Sequence, residues 1–245
     1  MSAVYDAIGQ GYPIRRRPDP LIAAAIDAAL GNSRSVLNVG AGTGSYESCR
    51  REVIAVEPSR AMIAQRPAGA APAIQARAEA LPFRSGTFDA VMGILTLHHW
   101  SDLRAGMTEC RRVARDRVVL LTVDMEVCAK FWLYEYFQDM LVNDRSIFPS
   151  IDEIVNLLGT AEIRSVPVPA DCQDGFLCAY WKRPEAYLDP AVRAGISSFS
   201  KSGSIELRLH SLHQDIESGE WRRQYGSLQQ LEALDLGYRL VVATY

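Results

Sequence analysis

The sequence predicts a doubly wound α/β sheet, and three observations lead there. Strand-like and helix-like segments alternate four or five times through the first half of the chain. The strand-like runs are continuously apolar, which suits parallel strands covered on both faces. The first of them runs directly into a glycine-rich loop. With 245 residues, 48% hydrophobic and 22% charged, the chain is expected to form one large domain, or one carrying a sub-domain, with little disorder.

The elements follow in order. Asp19 is a suitable N-cap and Pro20 a suitable first helical residue. Behind them Leu21, Ile22, Ala25, Ile26, Ala29 and Leu30 share one helix face, and Gly31-Asn32 stops the helix. Residues 35–39 read as a strand, and residues 53–56 as a second ending at Glu57-Pro58. A helix-like stretch, at most about two turns long, is expected between them. Residues 59–66 form a short helix, 73–76 a third strand and 88–95 a strong buried strand. Ser101 is expected to cap a helix reaching about Arg115, and residues 117–123 form a further buried strand. After Asp124 the pattern changes. Residues 127–142 are aromatic-rich and read as one helix; Ser150 and Glu153 make a capping box for a helix to Leu158. Residues 162–168 read as a strand, 172–234 as mostly helical and 237–244 as a last strand. The reading is therefore a sheet with a helical insertion between its last two strands.

The formal charge of −3 gives no global basic excess, so a nucleic-acid partner is not expected. The longest apolar run, residues 118–123, is interrupted by Thr122 and falls far short of the roughly 18 residues of a membrane helix. No secretory signal is expected. Five scattered cysteines with no C-x-x-C pair read as reduced thiols of a cytoplasmic protein.

The glycine loop, Gly40-Ala41-Gly42-Thr43-Gly44, follows a strand, and Glu57 ends the next strand seventeen positions after Gly40. Glycines there let the backbone turn tightly and approach a ligand, and a carboxylate at the carboxyl edge can accept both hydroxyls of a ribose. The dinucleotide fingerprint would need its third glycine at Ser45. The observed spacing fits S-adenosylmethionine instead. A glycine turn without a ligand is the plain alternative.

Four segments in register carry a resemblance: the VLNVGAGTG loop, the AVEPS strand end, Ala78-Glu79-Ala80-Leu81-Pro82-Phe83, and Phe88-Asp89-Ala90-Val91 leading to Leu97-His98-His99-Trp100. The chain resembles a class I S-adenosylmethionine-dependent methyltransferase of the ubiquinone/menaquinone-biosynthesis type (methyltransferase type 11). The resemblance implies a Rossmann-like seven-stranded sheet with the last strand antiparallel. It also implies a division into an N-terminal lid (1–17), a cofactor-binding core (18–170), a helical substrate wall (171–234) and the last strand (235–245). Asn38, Gly40, Ala41, Gly42 and Gly44 would border the methionine part and ribose; Glu57 and Pro58 the ribose; Ala78 and Glu79 the adenine. Leu95 to His98 would run beneath the cofactor, and Tyr5, Tyr12 and Arg16 would close over it. Three features depart from the family: Asn38 stands in place of an acid, Arg77 in place of an Asp, and the link from Gly44 to the second strand is short.

Methyl transfer needs alignment of the nucleophile, exclusion of water and sometimes a base. His98 and His99 follow the fourth strand at the edge where ligands gather; His98, nearer the strand, is the preferred base. Asp124 ends the fifth strand and reads either as an orienting carboxylate or as an N-cap. Phe131, Trp132, Tyr134, Tyr136 and Phe137 read as core or as pocket wall. The turn 171–176 with the segment 180–184 reads as a substrate wall. His210 and His213 could share a helix face, but lack nearby acid or cysteine ligands, so no metal site is assigned. The expected activity is methyl transfer to an O, N or C atom of a small molecule. The alternatives are a non-methylating reaction such as cyclisation, or non-catalytic cofactor binding. Monomer and homodimer both stay open.

Overall fold

A computed structural model describes residues 16–200 and 203–245. Its centre is a seven-stranded sheet in the order β3-β2-β1-β4-β5-β9-β6. The strands are β1 (Ser35–Val39), β2 (Glu52–Val56), β3 (Ala73–Ile74), β4 (Phe88–Ile94), β5 (Ala114–Val123), β6 (Glu162–Ser165) and β9 (Tyr238–Thr244). Strands β1 to β5 pair in parallel, while β9 wedges antiparallel between β5 and β6. The expected seven strands and antiparallel last strand are present. Two further short strands, β7 (Val168–Pro169) and β8 (Ala233–Leu234), pair with each other and close the base of the insertion.

The continuous apolar character of β5 has its reason here. Val119 and Leu121 pack toward α1 (Pro20–Leu30), whereas Val118 and Leu120 pack toward α3 (Leu103–Val113) and α7 (Ile151–Leu158). Alternate side chains point to opposite faces, and both faces are covered. Asp19 caps α1 by accepting from the Leu21 and Ile22 N–H groups, and Pro20 opens that helix. Ser59 caps α2 (Arg60–Ala64), and Ser150 caps α7 by accepting from the Glu153 N–H.

Several local expectations need correction. Residues 41–51 form turns with no helix. Side-chain anchors hold this link instead: Arg51 bonds the Asp27 carboxylate and the carbonyls of Asp27, Ser33 and Gly31. The cap of α3 is Asp102, not Ser101: Asp102 accepts from the Ala105 N–H, while the Ser101 oxygen accepts from Arg77 Nη2 and its hydroxyl donates to Glu79. The aromatic segment is three helices, α4 (Met125–Cys128), α5 (Leu133–Tyr136) and α6 (Gln138–Ile147), and the last break is at Phe137, with φ −119° and ψ 62°. Aromatic side chains at so many positions satisfy almost any helix face, so periodicity could not locate these bends.

The insertion, whose first α-helix is α8 (Pro190–Arg193), packs on that segment, joining α9 (Ser197–Ser200) to α6 and α10 (Glu206–Glu217) to α5. The two helical pieces form one cap over the sheet face that also holds α1.

The junction of β9 with β5 is tight. Gly237 has φ +85°, and a Cβ on it would lie 2.5 Å from the Asp124 carbonyl oxygen and 3.0 Å from the Cys128 nitrogen. Neither backbone atom can move aside cheaply. Gly237→Ala is expected to destabilise the fold by at least about 1–3 kcal/mol through strain and overpacking. The measurement is the urea unfolding midpoint; an unchanged midpoint would contradict this account of the junction.

Candidate active site

A cavity of about 540 Å³ opens at the carboxyl edge of β1, β2 and β4. This is where an open α/β sheet reverses its winding and holds ligands. Gly40 and Gly42 have φ of +70° and +54°. A Cβ on Gly40 would meet Thr96 Oγ1 at 1.9 Å, whereas one on Gly42 would meet nothing within 4 Å. Glycine is thus needed at 40 for close packing, while position 42 has an open face. The Gly40 and Ala41 N–H groups both donate to the Val56 carbonyl, at 2.8 and 3.0 Å. That convergence folds the loop over the end of β2.

Glu57 is 5% exposed and lines the cavity. It accepts from the Gly42 N–H at 2.8 Å and the Ser59 N–H at 2.9 Å. Pro58, Ala41 and Ala78 line the same cavity. Gly44 does not: a Cβ there would come 3.1 Å from Glu47 Oε2 and 3.2 Å from Arg66 Nη1. Glu79 lines the cavity, but one of its oxygens accepts from the Ser101 N–H and hydroxyl and the Asp102 N–H. Burial pushes its carboxyl upward, but these hydrogen bonds prevail and hold it below the ordinary range.

Asn38 is 1% exposed and reaches the cavity floor. Its Nδ2 donates to Glu47 Oε1 at 3.0 Å. Glu47 in turn takes two bonds from Arg66 Nη2, at 2.8 and 2.6 Å, and one from the Ala71 N–H at 3.2 Å. An ionised carboxylate only accepts, so the amide nitrogen must face Glu47. Asn38 Oδ1 therefore faces away from Glu47; it is buried with no hydrogen-bond partner among the described residues.

Arg16 lines the cavity too and is no solvated charge. Its Nε and Nη2 bond the two oxygens of Asp174, at 2.5 and 3.2 Å, and Asp174 is fully buried. Tyr46, at φ +66°, donates its hydroxyl to Asp174 Oδ2 at 2.8 Å. Burial first, then the Asp174 charge, pushes that phenol far up, so it serves as a donor. Tyr5 and Tyr12 lie outside the described residues.

A second cavity of about 60 Å³ adjoins the first, sharing Leu95 and Arg16 with it. His98 lines the smaller cavity and His99 the larger. The rings lie 3.9 Å apart, and Phe148 stacks on His98 at 4.2 Å. Leu95 has φ +50°, a conformation that costs a branched residue roughly 1–2 kcal/mol and signals a constrained site. Asp124 lines neither cavity; it caps α4 by accepting from the Glu126 N–H at 3.0 Å. Of the aromatic stripe, Tyr134 lines the smaller cavity and the rest build the core or its edge. In the expected wall, Phe176 lines that cavity, whereas Trp181 is wholly buried in the core. His210 and His213 lie on α10, where His213 meets Glu217 at 3.4 Å.

Sequence reasoning missed Glu47, Arg66, Tyr46 and Asp144, and included Asp174 only as part of the turn 171–176. Asp144 stands among polar neighbours, Asn143, Arg145 and Ser146, and carried no local signal. The others are ordinary polar residues that distant folding contacts bring together.

The comparisons follow from this geometry. A methyltransferase domain family profile matches residues 37–122. A solved structure from Anabaena variabilis, described as a methyltransferase from an antibiotic biosynthesis pathway, is 36% identical over 94% of this chain and 99% of its own, with a TM-score of 0.88. The YcgJ protein of Bacillus subtilis shares the fold at 19% identity, covering 91% of this chain and 97% of its own, with a TM-score of 0.55. A geranyl diphosphate C-methyltransferase from Streptomyces coelicolor shares it at 16% identity over 91% of this chain and 76% of its own, with a TM-score of 0.53. No curated protein matches the chain. The fold is that of a methyltransferase. The chain belongs to the class I S-adenosylmethionine-dependent methyltransferases and methylates a small-molecule acceptor with that cofactor.

Asn38→Ala removes the unpartnered oxygen at the cavity floor. S-adenosylhomocysteine, which carries an ammonium, is expected to bind about 10- to 150-fold more weakly, as for a charged hydrogen bond worth about 1.5–3 kcal/mol. Methylthioadenosine, which lacks the amino-acid end, should bind as before. Calorimetry with both ligands separates the outcomes, and equal losses would overturn this role for Asn38.

Proposed function

We propose that the larger cavity holds the cofactor and that the acceptor presents its nucleophile from the smaller one. The observation that carries this reading is the presence along one cavity of Asn38, whose buried Oδ1 has no hydrogen-bond partner among the described residues, and the Glu57 carboxylate. The first suits an ammonium and the second a ribose, so the residues present fit S-adenosylmethionine. Gly40, Ala41 and Gly42 would lie along the methionine part, and Pro58, Ala78 and Glu79 toward the adenine. Arg16 would close the cofactor side. Its bond to Asp174 ties the end of the proposed lid (1–17) to the proposed wall (171–234), with the core (18–170) between them and the last strand (235–245) after.

When bound, S-adenosylmethionine supplies a methyl group on a sulfonium centre. The protein's residues do the rest. Leu95 and the apolar cap exclude water from the boundary between the cavities. His98, on the acceptor side, serves as the proton acceptor, held flat by Phe148. His99 borders the cofactor side. The Anabaena relative's link to antibiotic biosynthesis supports a secondary metabolite as acceptor over a macromolecule. The five cysteines are free thiols, which suits a reducing, cytoplasmic setting. No helix among the described residues is long and apolar enough to cross a membrane.

The direct test is incubation with labelled S-adenosylmethionine and a panel of metabolites, with mass detection of a methylated product. Glu57→Ala should weaken S-adenosylhomocysteine binding by about 1–3 kcal/mol in calorimetry; unchanged affinity would remove the ribose assignment. His98→Ala should lower turnover by about 10²- to 10⁴-fold while leaving cofactor affinity nearly intact. Near-normal turnover from pH 6 to 9 would mean that positioning and desolvation suffice without this base.

A further inference from the structure

The segment after the glycine loop folds back onto β1 through one carboxylate. Glu47 pairs with Arg66, and their side chains are only 7% and 6% exposed. Both Glu47 oxygens accept from Arg66 Nη2; Oε2 also takes the Ala71 N–H, and Oε1 takes Asn38 Nδ2 at 3.0 Å. Arg66 donates in turn to the Gly42 and Ala71 carbonyls, at 3.2 and 2.9 Å. The third loop glycine makes room for the pair, since a Cβ on Gly44 would crowd Glu47 Oε2 and Arg66 Nη1. Asn38 itself has little freedom. Its strand pairs on both sides, with Asn38 opposite Ala55 of β2 and Met92 of β4. What stays open is which end of its amide turns toward the cavity it lines. Glu47 decides that, because an ionised carboxylate accepts and does not donate. Nδ2 is drawn to Glu47, and Oδ1 is left on the other side, with no hydrogen-bond partner among the described residues.

We propose that Glu47 is a positioning residue for the cofactor: it locks the Asn38 amide with its oxygen, not its nitrogen, toward the cofactor's ammonium. The proposal rests on the reading that the larger cavity holds S-adenosylmethionine. An amide turned the other way would set Nδ2 against the ammonium, donor against donor. Arg66 makes the device tolerable, because a carboxylate buried without a cation is costly. Glu47→Gln exposes the role, since it keeps the shape and leaves one accepting end of two. The remaining oxygen is claimed by the Arg66 guanidinium and the Ala71 N–H, which outweigh the one neutral donor of Asn38. The new NH₂ end then faces Asn38, whose amide must turn over.

Calorimetry should show S-adenosylhomocysteine binding at least about tenfold more weakly to Glu47→Gln, and methylthioadenosine within about threefold of the unmodified protein. Adding Asn38→Asp should bring S-adenosylhomocysteine back to within about threefold, because a carboxylate at 38 accepts from the new amide and turns its other oxygen to the ligand. A merely structural role for Glu47 would weaken both ligands and would not be rescued from position 38. The proposal is overturned if Glu47→Gln binds S-adenosylhomocysteine as the unmodified protein does, if both ligands weaken alike, or if Asn38→Asp restores nothing. Should Glu47→Gln fail to fold, NMR of the unmodified protein decides. With and without S-adenosylhomocysteine, the Asn38 side-chain NH₂ should keep one proton hydrogen-bonded and protected from exchange; a pair exchanging freely with water would overturn the proposal. Absence of S-adenosylhomocysteine binding to the unmodified protein would instead sink the cofactor reading.

Discussion

The buried carboxylate of Asp174 holds together parts that the sheet alone leaves separate. It sits in the insertion, takes two bonds from Arg16 and one from the Tyr46 hydroxyl. Tyr46 belongs to the segment after the glycine loop, and its oxygen also accepts from the Asp19 N–H at 3.3 Å. Asp19 accepts in turn from the Gln173 N–H at 3.1 Å. One charge therefore joins the chain before α1, the glycine loop and the cap. A buried ion pair gains little over apolar packing, yet losing one partner costs about 3–5 kcal/mol. The arrangement is accordingly better explained by geometry than by stability. It fixes Arg16 at the boundary of both cavities, where a solvated arginine would wander.

A second buried charge shapes the cofactor side. The resemblance leads one to expect an acid at position 38, and Asn stands there. Glu47 explains how the site accommodates this. Its carboxylate lies 3.0 Å from Asn38 Nδ2 and is neutralised by Arg66. An acid at 38 would set two carboxylates within hydrogen-bond distance, which disfavours ionising both. Asn turns that proximity to use, because its amide donates to Glu47 and presents an oxygen on the other side. The negative charge thus lies one residue away from position 38, where a neutral amide stands beside it.

The sheet was legible because burial on both faces leaves continuous apolar runs, as in Val118–Leu121, and because glycine at 40 answers a steric demand that no other residue meets. Asp19 and Ser150 announced their helices because N-caps act locally. Ser101 failed the same reading because partners more than twenty residues away engage its hydroxyl: it accepts from Arg77 and donates to Glu79. The missing helix after Gly44 failed for a related reason: the Arg51 contacts to Asp27, Ser33 and Gly31 come from another element. The bends at Phe137 and the partners of Asp174 and Asp144 depend on how the cap closes, which spacing cannot reveal.

Leu95 sits where the two cavities meet. It follows β4 in a left-handed conformation, and its N–H still donates to the Leu121 carbonyl at 2.8 Å. Glycine would adopt this conformation without strain, but it would leave no side chain at the boundary. Leucine costs conformational energy and supplies an apolar surface common to both cavities. A displacement at a sulfonium carbon is fastest when the two reacting atoms meet in a dry, aligned approach. Polar groups therefore belong at the outer ends of that approach, with apolar surface between them. The structure has this distribution: Asn38 and Glu57 on one side, His98 and Asp144 on the other, and Leu95 bordering both cavities.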